Sequence, residues 1–287
     1  MSSVLYDAPG PRGRRRELIG SVIGGLVLLA LVATGTWFAA RRGVFTSARW
    51  NVLYAPPKHQ TAADVWRSLL VVGLGATLRA AVVAAPCALA LGLLLAVWRS
   101  AGRRWLRYPA AAVIELFRGL PVLLIMFFGL LGFGWSAFGA VVLGLTVYNM
   151  AIIAEILRAG LAALPTGQAE AAYAIGLSRA QTLFSILLPQ AVRTMLPSLV
   201  AQLVVLLKDS SLGFIVGYPE LLKAVQNNAQ YFGNAYYVAL FTVGAGTYLV
   251  VNISLSRVAL RLQARVHRTS PVLVPSARLL GTVPIQP

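Results

Sequence analysis

Charge is scarce in this chain. Only 11% of its 287 residues are charged, against about a quarter in an average soluble domain. Just eight of them are acidic, and lysine occurs only as Lys58, Lys208 and Lys223. With 58% hydrophobic residues and a mean hydropathy of +0.76, the chain is too apolar to hide its surface in one water-soluble core. Cysteine is nearly absent: Cys87 stands alone, so no intrachain disulfide forms. The two histidines, His59 and His267, lie outside the apolar blocks with no cysteine or acid at ligand spacing, so no metal site is expected. A phosphate-binding P-loop needs a Gly-Lys pair. The three lysines follow Pro57, Leu207 and Leu222, so the chain has no such nucleotide site.

What is abundant is arginine placed between long apolar runs. The net charge is +17. That excess sits at the ends of the apolar blocks, which fits cytoplasmic helix ends better than a groove for nucleic acid, and no nucleic-acid partner is expected. Crossing a bilayer takes about 20 apolar residues per helix. On that measure six spans are expected: 19–40, 78–98, 110–131, 138–161, 190–207 and 235–255. Residues 1–18 read as a disordered cytoplasmic tail. The span over 19–40 reads as a retained signal anchor, with Gly20 and Gly24 as ordinary small residues. Residues 41–68 form a polar, Trp-bearing outer loop, 69–265 the main membrane domain, and 266–287 a cytoplasmic tail. Pro86 is expected to kink the second span. Trp98, Trp105 and Tyr108 read as interfacial belt residues. Sixteen basic residues fall on the side of the two termini and at most seven on the other. The positive-inside rule therefore puts both termini and the 164–189 loop in the cytoplasm.

The 164–189 loop, LPTGQAEAAYAIGLSRAQTLFSILLP, carries the most local information. Pro165-Thr166 reads as a helix start, with Thr166 as the cap. Gly176 reads as a helix stop in the left-handed conformation, and Ser178 with Gln181 as a capping box for a second helix. Leu183, Phe184, Leu187 and Leu188 share one face of that helix, and Pro189 is expected to disrupt the turn that follows. Residues alone leave two readings open: a rigid protrusion that docks into a partner, or a helix pair capping the bundle.

The run Glu170-Ala171-Ala172, Gly176, Ile186 and Leu188-Pro189 resembles the EAA loop of permease subunits of bacterial ABC importers. The stretches GATLRAAVVAAPCALALGLLLA, ELFRGLPVLLIMFF, GLTVYNMAIIAEILRAGLAALPTGQAEAA and LLKDSSLG resemble the polar amino-acid branch of that family, over about 69–265. The first span and the 41–68 loop make the chain most similar to the longer, glutamate-type permeases. The resemblance implies an all-α, polytopic fold of about six helices, the transmembrane domain of a type I importer in a bacterial cell membrane. It implies that Glu170, Ala171, Ala172 and Gly176 form the coupling helix, anchored by Ile186, Leu188 and Pro189. It also implies partners: two ATP-binding subunits that hold ATP and Mg, a second permease subunit (paralogue or copy), an extracellular solute-binding protein and the lipid bilayer. The chain itself would be non-catalytic and hold no cofactor.

Ionisable residues near mid-span usually face a cavity or a partner. Glu115, Arg118, Glu155, Arg158, Lys208 and Asp209 meet that description. Lys208 and Asp209 are sequence neighbours and point apart on a helix. Ser210, Ser211 and Gly213 suggest a break beyond them. Tyr148, Asn149, Glu155, Arg118, Lys208, Asp209, Ser210 and Ser211 are therefore solute-pathway candidates, with structural salt bridges or interface snorkelling as the alternative. Two other functions compete. A self-sufficient secondary transporter would show inverted repeats, and a membrane-embedded enzyme would need catalytic groups within its spans.

Overall fold

The computed structural model describes residues 10–268. The expected tail residues 1–9 and the segment 269–287 lie outside the described residues. All described regular structure is helical. Five helices are long and apolar enough to cross a membrane, or six if one sharply bent pair counts as a single span.

Helix α1 spans Pro11–Arg41, so it takes in part of the stretch expected to be a disordered tail. Pro11 at the first turn costs nothing there, because that amide has no intrahelical partner. None of the helix's apolar stretch is buried against the rest of the chain. Helix α2 runs unbroken over Ala62–Ser100, starting well before the expected crossing. Its start is fixed by a capping box: Asp64 N–H donates to Thr61 Oγ1 at 3.3 Å, and Thr61 N–H donates to Asp64 Oδ2 at 3.0 Å. A π-helical stretch over Arg67–Gly73 lies within it. Pro86 sits inside the helix without breaking it.

The third expected span is not one straight helix. It divides into α3 (Arg104–Gly119) and α4 (Val122–Gly132), which meet at 101°. The cause is Pro121. It lacks an N–H and forces the residue before it out of the helical region, and Leu120 is extended at φ −89°, ψ 133°.

Helix α5 (Ala137–Ala162) is the central post. It packs along α2 and is also touched by α3, α4 and the later helix over Arg179–Phe214. Gly92 allows the α2–α5 approach: a Cβ there would lie 2.7 Å from Ile153 Cγ2 and 2.9 Å from the Met150 carbonyl oxygen. The main core forms at this contact, from small residues of α2 (Ala80, Ala84, Ala88) and larger ones of α5 (Leu145, Ile153). Small residues at helix contacts are how membrane helices gain van der Waals packing without a hydrophobic driving force.

Helix α6 (Thr166–Ala174) precedes α7, which is continuous over Arg179–Phe214. Pro189 does not interrupt α7, contrary to expectation. The preceding turn, Leu183–Leu187, is π-helical, and this local widening accommodates a residue that cannot donate a backbone hydrogen bond. The end of α7, Ser210–Phe214, tightens to a 3-10 helix. Helix α8 (Leu221–Phe232) follows, and α9 (Tyr237–Arg268) closes the bundle.

A second core lies at the end of the bundle away from the 164–189 loop. There α8 packs against Arg67–Gly73 of α2 and against α9, with Leu69, Leu221, Val225 and Leu240 buried. The connection before α2 is clipped onto this cap. Val52 is buried, Trp66 Nε1 donates to the Leu53 carbonyl at 3.0 Å, and the Lys58 ammonium donates to the Tyr231 carbonyl.

Candidate coupling loop and membrane pathway

Helix α6 ends in a Schellman closure. Gly176 N–H donates to the Tyr173 carbonyl at 3.0 Å and Leu177 N–H to the Ala172 carbonyl at 3.1 Å. Gly176 takes φ +85°, where a side chain would be strained. The next helix starts at once. Gln181 N–H donates to Ser178 Oγ at 3.3 Å and Ser178 N–H donates to Gln181 Oε1 at 2.9 Å. The stop and the second start are therefore both built as the residues suggest. The first start differs: Pro165 occupies the cap position, no side chain caps it, and Thr166 is the first helical residue. A residue with helical φ and ψ presents its own N–H as one of the orphans and is poorly placed to cap its neighbours.

The loop's two faces are chemically distinct. Glu170 and Ala171 are exposed, whereas Ala172 is 2% exposed and turned inward. Leu188 is buried, Ile186 half-buried and Pro189 exposed. Of the expected apolar face, Leu183 and Leu187 are half-buried, but Phe184 points outward at 55% exposure.

The pathway candidates do not form one cluster. Asn149 is fully buried; its Nδ2 donates to the Leu145 carbonyl at 2.7 Å, and its Oδ1 accepts from Gln202 Nε2 at 2.8 Å. That pair ties α5 to α7. Tyr148, beside it, is half-buried. Glu155 and Arg158 close on each other through two hydrogen bonds of 2.6 and 2.9 Å. Glu115 and Arg118 form a looser, exposed pair at 3.6 Å. Lys208 and Ser211 line a cavity of about 640 Å³ between α7, α8 and α9, together with Tyr248 and Asn252. Asp209 is half-buried and does not line that cavity, and Ser210 is buried with its hydroxyl donating to the Leu207 carbonyl at 2.6 Å.

One polar cluster escapes a reading by residue type. Glu220 is completely buried, in the connection between α7 and α9 and outside the bilayer-crossing helices. Its carboxylate caps α8 by accepting from Lys223 N–H at 2.8 Å and Leu222 N–H at 2.9 Å, and accepts a third bond from the Tyr248 hydroxyl at 2.8 Å. Thr77 of α2 completes the set by accepting from Leu221 N–H at 3.2 Å. Burial pushes the Glu220 carboxyl above the usual carboxylate range, against the lowering effect of the bonds it accepts. The signal was available. An acid stands directly before Leu221, Ala224, Val225, Asn228, Ala229 and Phe232, which recur at helical spacing.

Residues 88–268 match the family described as the binding-protein-dependent transport system inner membrane component. The chain is 44% identical over 213 residues to the glutamate transport system permease protein GluD of Corynebacterium glutamicum, covering 71% of this chain and 77% of the relative. It is 37% identical over 209 residues to the probable glutamine ABC transporter permease protein GlnP of Bacillus subtilis, covering 71% and 94%. The chain belongs to this family. It is a permease subunit of an amino-acid ABC importer.

The permease fold is shared with solved importers. The crystal structure of an amino acid ABC transporter with histidines superposes with a TM-score of 0.64 at 28% identity, over 71% of this chain and 97% of that one. A MetNI methionine transporter in an inward-facing form shares the fold at a TM-score of 0.60 and 24% identity. This permease is therefore non-catalytic, with ATP hydrolysis in a separate subunit, and it is a multi-pass membrane protein. The reading as a self-sufficient secondary transporter is excluded by the same membership.

Proposed function

We propose that the permease forms the membrane pathway for uptake of a polar amino acid, with glutamate as the cargo. The observation that carries the cargo is the 44% identity to a glutamate permease across most of both chains. The chemistry around α7 supports it, because the cavity there is lined by two cationic residues, Lys208 and Arg257, beside hydroxyls and an amide, and by no acid. A cation there complements an anionic solute at a depth where an unpaired charge is costly.

Drive comes from two ATP-binding subunits carrying ATP and Mg. They engage Glu170 and Ala171 on the exposed face of α6, while Ala172, Gly176, Ile186, Leu188 and Pro189 stiffen the loop and join it to α7. Both termini and this loop lie in the cytoplasm. A second permease subunit completes the channel, and an extracellular solute-binding protein delivers the solute to the opposite end. Tyr148, Asn149, Arg118, Glu155, Asp209, Ser210 and Ser211 hold the walls of the pathway in register.

The test is ATP hydrolysis by the assembled importer in proteoliposomes, titrated with binding protein preloaded with glutamate, aspartate, glutamine or arginine. Glutamate should give the largest stimulation, and Lys208→Met should remove most of it. Stronger stimulation by arginine, or full activity of Lys208→Met, would overturn the cargo assignment.

A further inference from the structure

Two cavities meet at the turn between α2 and α3. The first, about 610 Å³, is polar and lined by Arg99, Arg107, Tyr108 and Arg158. The second, about 780 Å³, is lined mainly by apolar side chains that include Leu106, Leu183, Phe184 and Leu187, together with Arg103 and Arg179, whose guanidinium lies against Gly102. They share Ser100, Ala101, Gly102 and Leu161, so they form a basic compartment continuous with an apolar one. Arg158 is engaged by Glu155. Among the described residues, neither Arg99 nor Arg107 is in a salt bridge.

We propose that this pair of cavities binds one acidic phospholipid. The headgroup phosphate sits between Arg99 and Arg107, and an acyl chain lies along Leu106, Leu183 and Leu187. Guanidinium groups match phosphate oxygens in charge and in fork geometry. Basic pockets between helices on the cytoplasmic side suit such headgroups, and phosphate at this level is a property of the bilayer itself. The apolar compartment decides between candidate occupants. A free phosphate would use only the first cavity, and the polar surface of a soluble ATPase would leave Phe184 and Leu183 without a match.

The location gives the site a consequence. The apolar compartment is walled by Tyr173 of α6 and by the first turns of α7, so an acyl chain there props the coupling loop against α2. The inference rests on the cytoplasmic placement of the loop, but lipid retention is read without reference to cargo.

The experiment is native mass spectrometry of the assembled importer, titrated with phosphatidylglycerol, phosphatidylcholine or inorganic phosphate. Wild type should retain one phosphatidylglycerol per permease in preference to phosphatidylcholine, with phosphate failing to displace it. Arg99→Gln/Arg107→Gln should weaken retention about tenfold, and Leu183→Ser/Leu187→Ser should weaken it without altering the charge. Arg14→Gln/Arg15→Gln, which removes equal charge from α1, should leave it unchanged. Equal retention by the two arginine pairs would reduce the effect to general surface charge and overturn the site. So would displacement by phosphate alone, or loss of the lipid whenever the ATPase subunits are bound.

Discussion

Replacing Glu220 by alanine removes three hydrogen bonds from a group with no solvent exposure: the two amide bonds that cap α8 and the bond from Tyr248. Loss of a helix cap costs about 0.5–2 kcal/mol. Each donor left unpaired in a dry site costs about 1–3 kcal/mol. Relief from burying a carboxylate offsets part of this. The net expectation is roughly 2–4 kcal/mol, or a fall in Tm of about 4–16 °C by the scaling for chains of 150–250 residues. The assay is thermal unfolding of the purified importer in detergent, followed by intrinsic fluorescence. Tyr248→Phe should lose less, because it breaks only one of the three bonds. The double variant should fall short of the sum, since the two residues share a bond. A carboxyl whose pKa is raised by folding adds stability that is complete below its unfolded pKa and fades as pH rises through the folded pKa. As pH rises above the ordinary carboxylate range, wild type should lose stability relative to Glu220→Gln. An alanine variant within 1 °C of wild type, or strict additivity with Tyr248→Phe, refutes this account of the cluster.

Three further outcomes follow from the geometry. Gly176→Val forces a β-branched residue to φ +85° and should cost about 1–3 kcal/mol locally. It should uncouple ATP hydrolysis from uptake more than it lowers expression, as read by the ratio of solute moved to ATP consumed. Gln202→Leu leaves Asn149 Oδ1 without its partner. Interhelical bonds in membranes average about 0.6 kcal/mol, so a modest loss of about 1–2 °C in Tm is expected by fluorescence. Gly92→Leu drives a large side chain into Ile153 and the Met150 carbonyl, and size-exclusion chromatography should show aggregation instead of assembled importer.

Span number and the helix stop and restart at 176–181 were legible in the residues because both rest on local rules. Apolar run length identifies α1, α2, α5, α7 and α9 whatever their neighbours do. The Ser178–Gln181 box and Gly176 are complete within a few residues, so the turn they build needs no tertiary support. What was missed depends on contacts between distant residues or on how a chain absorbs a proline. Pro121 breaks α3 from α4, with Leu120 extended before it, while Pro86 leaves α2 continuous, and the residue type alone does not separate the two cases. Pro189 is absorbed by a π-helical turn that nothing in its immediate sequence announces. Glu220 is legible as a cap from the helical spacing that follows it, but its burial depends on Thr77 and Tyr248, far away in the chain, closing around it. The charges near mid-span were legible as costly, but their partners were not. Two of the pairs, Glu115–Arg118 and Glu155–Arg158, neutralise themselves one helical turn apart, which spacing permits but does not require.

The proposed function rests on a cytosolic 164–189 loop seated on an ATPase subunit. Its most direct test is cysteine mapping of Glu170→Cys in a Cys87→Ala background. The thiol should react with a membrane-impermeant maleimide in inside-out vesicles but not in intact cells. In the assembled importer it should form an oxidative cross-link to the ATP-binding subunit when a cysteine is placed in that subunit's docking cleft. Labelling from the outside of intact cells, or no cross-link across a panel of cleft positions while uptake persists, would contradict the account.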